Sequence, residues 1–454
     1  MAFSRRARWT AAVLSRFHHP AQVVVTSFGL LVLAGTFLLM QPISTVGADA
    51  TVVEALFTAT SAVTVTGLAI VDTQSHWSVF GEVVIAGLVQ VGGLGIMTFA
   101  TLFAVLVGRR VGLRFRLLAQ AETSMLSVAD VRAIARRVVV FSLTCEAVFA
   151  AVLAGRWMIG YGEPFGQATY YGVFHSIMAF NHAGFALWPD SLTRFVADPW
   201  ISLTASSAVI VGGLGFPVVF ELMRTWRRPG SWSIMTRLTV WISLMLLAIG
   251  TLFLLVAEWD NPRTFGPLDD GGKLLAAFFA STMTRSAGLN SVDIGQMETS
   301  SLLVSDVLMF IGGASASTAG GIRVTTFGVL AFVIWAELRG EPRVNIGHRR
   351  VPDSVQRQAI AISLISVAVV VVATYVLLVI SPFALDQVLF EVISAFTTTG
   401  LSTGITAQFS PAGQIILTVL MFMGRTGTLT LGTALAMQER TRRYELPEER
   451  VLVG

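Results

Sequence analysis

Thr64-Val65-Thr66-Gly67-Leu68 is a polar turn set between two apolar stretches, and three more segments of the same kind follow it. They are Asn181-His182-Ala183-Gly184-Phe185, Thr284-Arg285-Ser286-Ala287-Gly288-Leu289 and Thr397-Thr398-Thr399-Gly400-Leu401. Each ends in glycine followed by a large apolar residue. The first two follow short amphipathic stretches, at about 50–63 and from Phe165 to Met178. Long apolar spans flank the turns, at about 22–44 and Phe80 to Val107, then at about 136–158 and 200–223, with another at about 356–380 before the fourth. Some 24 to 28 residues after each turn comes a second glycine motif: Gly92-Gly93, Gly212-Gly213, Gly312-Gly313 and Gly424-Arg425. At about 1.5 Å per helical residue these stand at nearly the same depth in the following span. Two features in register four times predict an internal repeat.

Composition agrees. The chain of 454 residues is 54% hydrophobic and 13% charged, too apolar for a soluble globule of this length. Lipid must cover much of its surface. The net charge of +4 does not point to nucleic acid, because the basic residues fall in short loops between spans, where membrane orientation accounts for them. Arg109, Arg110, Arg114, Arg116, Arg132, Arg136 and Arg137 precede the second quarter, and Arg224, Arg227, Arg228 and Arg237 precede the third. Arg339, Arg343, Arg349, Arg350 and Arg357, then Arg440, Arg442 and Arg443, complete a pattern that places these loops and both termini in the cytoplasm. The turns then enter from outside. Asp72, Glu163, Asp190, Asp269, Asp270 and Asp293 gather on that outer side, where they would concentrate cations. The lone cysteine, Cys145, lies in an apolar run and reads as a packing residue.

A stretch too short to cross the bilayer, between two spans whose far ends face the same side, must dip in and return. Non-helical backbone at that depth survives where it lines water or protein. A half-helix entering from outside aims its partially negative C-terminus at the membrane centre, which favours a cation there. Glycine permits the φ > 0 backbone that turns a carbonyl inward, and carbonyls can replace an ion's hydration shell. No carboxylate occurs in any of the four turns, so the pattern points to a monovalent cation and away from a divalent one.

These four turns resemble the filters of the Trk/Ktr/HKT superfamily of potassium transporters, and the likeness runs through nearly the whole chain. It is closest to the Ktr membrane subunit: eight spans without an extra leading pair, and an ending, Pro447-Glu448-Glu449-Arg450-Val451-Leu452-Val453-Gly454, like a Ktr terminus. The resemblance implies an all-α integral membrane protein of four repeats, each a span, pore helix, filter turn and span. That makes eight transmembrane helices plus four re-entrant half-helices with pseudo-fourfold symmetry around one pore. The repeats are expected at 21–110, 130–228, 235–340 and 354–440, with cytoplasmic segments at 1–20 and 441–454. The implied filter comprises Thr64, Val65, Thr66, Gly67, Asn181, His182, Ala183, Gly184, Ser286, Ala287, Gly288, Thr398, Thr399 and Gly400. Gly67 stands where a serine in plant relatives accompanies sodium selectivity, which implies potassium as the substrate, with sodium the second candidate.

The third quarter's last span is interrupted by Gly312, Gly313, Ala314, Ser315, Ala316, Ser317, Thr318, Ala319, Gly320 and Gly321, a poor helix interior. The resemblance makes this the gating loop beneath the filter, with Arg323 where a lysine is usual. Arg425, alone in an apolar run, costs at least about 2.5–3.5 kcal/mol to insert and should face the pore or a partner; the resemblance makes it an electrostatic barrier. His182 is expected to buttress its turn, and Arg285 to point behind the filter toward an outer carboxylate or a helix end. The basic loops would attract anionic lipid. The family implies a homodimer on a cytosolic ring of nucleotide-binding regulatory subunits; no phosphate-binding loop opens after a strand here, so nucleotide would act only through that partner. Two alternatives stand beside this: a sodium- or proton-coupled secondary transporter with a midplane site, and a membrane hydrolase, for which no catalytic motif is present.

Overall fold

The computed structural model describes residues 20–95, 98, 128–347 and 349–437. The tail expected at 441–454, most of the segment expected at 1–20 and the end of the span expected from Phe80 to Val107 lie outside the described residues. The described residues are mainly helical, with a short hairpin pairing Asn345–Ile346 with Arg349–Arg350.

The helices are of two kinds, and burial separates them. The long ones are α1 (Pro20–Leu39), α4 (Val128–Tyr161), α8 (Ile234–Glu258), α12 (Asp353–Ile380) and α14 (Pro411–Met437). Leu33 and Phe37 on α1, Leu143 and Val148 on α4, Leu252 and Phe253 on α8, and Val371 and Val372 on α12 are exposed. Apolar faces of this extent on long helices belong in hydrocarbon, and the chain is a multi-pass membrane protein. Among the described residues, three of these five helices are long and apolar enough to cross a bilayer: α4 from Ala135, α8 and α12.

The short helices α2 (Val52–Val63), α5 (Phe165–Asn181), α9 (Asp270–Met283) and α13 (Leu385–Phe396) are richer in polar residues, yet their C-terminal halves are mostly buried. Two of them start on side-chain caps. Thr51 and Glu54 form a reciprocal capping box on α2, and the Asp269 carboxylate accepts from the Gly272 N–H on α9. Asp72 and Asp293 cap short turns in the same way, and Asp190 pairs with Arg194. Three outer acids expected to gather cations therefore also serve as caps.

The remaining helices are α3 (Val79–Gly95), α6 (Pro199–Gly213), α7 (Phe216–Thr225), α10 (Thr299–Ile311) and α11 (Val324–Leu338). Here the structure departs from the expectation. The continuous span expected at 200–223 is two helices, α6 and α7, meeting at 100°. Gly215 takes φ +81°, and Pro217 at the start of α7 supplies no N–H to continue α6. The chain between α10 and α11 is also non-helical, from Gly312 through Arg323.

Each exposed helix packs on the short helix that follows it: α1 on α2, α4 on α5, α8 on α9, α12 on α13. Each short helix also meets a helix from elsewhere in the chain. Thus α9 contacts α6, α13 contacts α10, and α2 contacts α14, which joins the two ends of the chain. One apolar core gathers side chains from α1 to α7, and a second from α8, α9, α10, α12, α13 and α14. Phe57 and Leu68 cross into the second core, and Phe279 and Leu289 into the first, so the short helices and their turns lie at the seam.

Candidate functional site

All four short helices end by the same device. A residue in the left-handed region follows the last helical turn: Val65 (φ 57°), His182 (φ 66°), Ser286 (φ 73°) and Thr398 (φ 50°). Two residues later comes a glycine with positive φ: Gly67 (91°), Gly184 (65°), Gly288 (75°) and Gly400 (93°). The N–H of the residue between them returns to the helix: Thr66 to Ser61 O, Ala183 to Met178 O and Thr399 to Ser394 O at 2.8 Å each, and Ala287 to Met283 O at 3.0 Å. This is a Schellman-type closure in which a side-chain residue occupies the place usual for glycine. A β-branched valine or threonine there is strained by about 1–3 kcal/mol, and such strain persists only where the surroundings over-determine it.

The surroundings are the other turns. A Cβ on Gly67 would collide with the Ala183 carbonyl, one on Gly288 with the Thr399 carbonyl, and one on Gly400 with the Thr66 carbonyl. A Cβ on Gly184 would stand 3.0 Å from the Gly288 Cα and 3.2 Å from the Gly67 Cα. Gly67, Gly184, Gly288 and Gly400 therefore form a closed ring of backbone, each against the next. The turns sit too close to one another for any side chain at these four positions.

The second glycine motifs permit a second close approach. A Cβ on Gly92 would overlap the Val63 carbonyl, one on Gly212 the Phe180 carbonyl, and one on Gly424 the Phe396 carbonyl. Each acceptor lies four residues before a ring glycine, so three helices press on the C-terminal ends of their own short helices. In the third quarter the helix is broken, and Gly320 of the loop lies against the Thr397 carbonyl instead.

Side chains fix the turns in two ways. Ser61 Oγ accepts from Gly67 N–H at 2.9 Å and Ser394 Oγ from Gly400 N–H at 3.0 Å, while Thr64 pairs with Thr66 and Thr397 with Thr399 through hydroxyls 2.8 Å apart. The second and third turns instead reach outward. Asn181 Nδ2 donates to Glu146 at 3.0 Å on α4, and Gln90 Nε2 donates to both Glu146 oxygens at 3.0 and 2.9 Å. Arg285 donates to the Ser243 carbonyl at 3.1 Å and to its hydroxyl at 2.8 Å on α8. Among the described residues its hydrogen-bond partner is this serine within α8, neither an outer carboxylate nor a helix end. His182 lies buried, Nδ1 2.9 Å from Ser286 O and Nε2 2.8 Å from Val209 O, so it bridges the second and third turns and α6. Among the described residues no group of three or more His, Cys, Asp or Glu could hold a metal ion.

Glu146 is the group that sequence reasoning passed over. Its signal was available, a lone carboxyl inside the apolar run Val138 to Leu153, and an ionisable residue at that depth is a functional candidate by default.

The loop from Gly312 to Gly321 lies against the ring. Ala314 N–H donates to Gly213 O at 3.1 Å, and Thr318 Oγ1 donates to Phe180 O at 3.3 Å. A Cβ on Gly215, at the break between α6 and α7, would meet the Ser315 carbonyl. Arg323 Nη1 donates to the Ala319 carbonyl, tying the loop to the start of α11. Arg425 is 1% exposed and finds no hydrogen-bond acceptor among the described residues. It lies within electrostatic range of Arg323 and His182.

The sequence matches the family described as TrkH, cation transport protein, over residues 1–444. The chain belongs to that family. It is 40% identical over 436 residues to Ktr system potassium uptake protein B of Bacillus subtilis (strain 168), covering 96% of this chain and 97% of that one. To the protein of the same name from Vibrio alginolyticus it is 39% identical over 434 residues, covering 95% and 94%. Potassium/sodium uptake protein NtpJ of Enterococcus hirae is 29% identical over 442 residues, covering 96% and 97%. The fold matches the crystal structure of the potassium transporter TrkH from Vibrio parahaemolyticus with a TM-score of 0.70 at 18% identity, over 92% of this chain and 84% of that one. The family is one of transporters and not of enzymes.

Proposed function

We propose that the chain is the pore-forming subunit of a potassium uptake system, passing K+ down its electrochemical gradient between the four glycine turns. The observation that carries this reading is the closed ring of Gly67, Gly184, Gly288 and Gly400 at the ends of four buried short helices. Four helix C-termini converging on one axis favour a cation, and turns with no carboxylate leave carbonyl and hydroxyl oxygens to take the place of its water. Potassium is favoured over sodium by the relatives named for potassium uptake, while the name of NtpJ keeps sodium as a second cargo.

In this reading the chain comprises four repeats, at 21–110, 130–228, 235–340 and 354–440, around a single pore. Eight spans cross the membrane, those after the second and third turns being broken. Gly312 to Gly321 is the gate below the ring, and Arg425 is the charge that limits flux. Both termini face the cytoplasm, the protein lies in the cell membrane as a homodimer, and nucleotides act only through a cytosolic regulatory ring.

Cells lacking their own potassium systems test the reading. Expression should restore rubidium uptake, and Gly67→Ser should lower the preference for potassium over sodium by about tenfold or more, since the added side chain enters the ring at the Ala183 carbonyl. Uptake by the unaltered chain with a selectivity indifferent to Gly67→Ser would contradict it.

A further inference from the structure

Ser286 is a ring-flanking residue whose side chain hydrogen-bonds to both the fourth turn and the loop. Its hydroxyl accepts the Gly320 N–H at 2.7 Å and donates to the Thr398 carbonyl at 2.9 Å, with the Thr397 carbonyl at 3.3 Å. A serine hydroxyl has one hydrogen to give and lone pairs to receive, so this arrangement uses it in both directions at once. It is fully buried. The equivalent positions of the other turns hold Val65, His182 and Thr398. Val65 has no polar side-chain atom, His182 bonds to Ser286 O and Val209 O, and Thr398 Oγ1 has no partner among the described residues.

We infer that Ser286 is a positioning residue that links the loop to the selectivity of the ring. The inference rests on the proposed reading of the ring as an ion filter and of Gly312 to Gly321 as its gate. The chain Gly320 N–H to Ser286 O–H to Thr398 C=O is a run of hydrogen bonds in a dry interior, where each bond polarises and strengthens the next. Docking of the loop therefore tightens the hold on the Thr398 carbonyl, and withdrawal of Gly320 loosens it. The carbonyls of Thr397 and Thr398 retain a lone pair each, so the hydroxyl sets their direction without occupying them. Gly320 itself could carry no side chain, because a Cβ there would press on Thr397 O.

Flux and selectivity measured together in proteoliposomes test this. Ser286→Ala removes both bonds and should raise ion flux by about fivefold, the equivalent of one neutral buried hydrogen bond, and lower the K+/Na+ ratio in the same preparation. Ser286→Thr keeps the hydroxyl and should keep both near the unaltered values, threonine occupying the equivalent left-handed position at Thr398. Thr318→Ala, which loses only the loop's bond to Phe180 O, should raise flux and leave the ratio alone. If Ser286→Ala cannot be purified, Ser286→Cys takes its place with the same expectation. A change in flux alone, in ratio alone or in neither on altering Ser286 overturns the link. Gly67→Ser in the same assay separates the two levels: an altered ratio there with none at Ser286 defeats this inference only, whereas no alteration at Gly67 defeats the filter reading with it.

Discussion

The first and fourth turns are held from within, and the second and third from the surrounding helices. Ser61 and Ser394, six residues before their ring glycines, accept those glycines' N–H groups at 2.9 and 3.0 Å, and paired threonine hydroxyls close each turn upon itself. The second and third turns place Met178 and Thr282 six residues back, and their anchoring residues reach out of the turn: Asn181 to Glu146 on α4, Arg285 to Ser243 on α8. The difference coincides with where the helices break. The second turn is followed by the bent pair α6 and α7, and the third by the loop between α10 and α11. A turn braced by its own hydroxyls leans less on the surrounding helices, while a turn anchored on α4 or α8 keeps its shape when the helix that follows it does not run straight. The difference teaches that one backbone geometry has been reached by two sets of side chains, each suited to the rigidity around it.

That contrast can be broken most forcefully at Glu146. Glu146→Ala strips both acceptors from the half-buried Gln90 amide, at about 1–3 kcal/mol for a group left unpaired, and one of three from Asn181, which keeps Gln90 Oε1 and the Ile177 carbonyl. Thermal unfolding in detergent should register a loss on the order of 3 kcal/mol, and Glu146→Gln, which keeps one acceptor, should recover most of it. Full stability in Glu146→Ala would mean that the second turn does not lean on α4. A smaller effect belongs to Arg285→Met. Its bonds to Ser243 disappear together with the desolvation cost of a buried guanidinium, so the net loss should be about 1–2 kcal/mol. Equal or greater stability would place the anchor of the third turn elsewhere. The smallest effects sharpen the comparison: Ser61→Ala and Ser394→Ala each remove one neutral bond, about 1 kcal/mol, and should match each other within about 0.5 kcal/mol. Because Gly400 abuts Thr66, the double variant should depart from additivity, as contacting sites do; additive losses would mean the two turns do not feel one another.

The turns were legible in the sequence because glycine at a crowded left-handed position is irreplaceable and so leaves a mark four times over. The glycines of the next helices were legible for the same steric reason, although the partner they approach, a short helix's terminal carbonyl, carries no sequence mark. The bend after Gly213 was misread as span interior. Leu214-Gly215-Phe216-Pro217 held the signal, a glycine two residues before a proline, but the apolar run around it outweighed that signal. Glu146 was hidden likewise by the hydropathy of its neighbours, and the partner of Arg285 because a serine hydroxyl and a backbone carbonyl do not announce themselves as a carboxylate does. Hydrogen bonds between distant segments, such as His182 to Ser286 O or Ser286 to Thr398 O, depend on how the quarters face each other, and no local pattern encodes that.

The most direct measurement is anomalous diffraction from crystals of the protein grown with rubidium or thallium in place of potassium. The account predicts a peak on the axis bounded by Gly67, Gly184, Gly288 and Gly400, displaced by potassium and weakened in Gly67→Ser. Peaks confined to the surface, with none inside the ring in the unaltered protein, would contradict it.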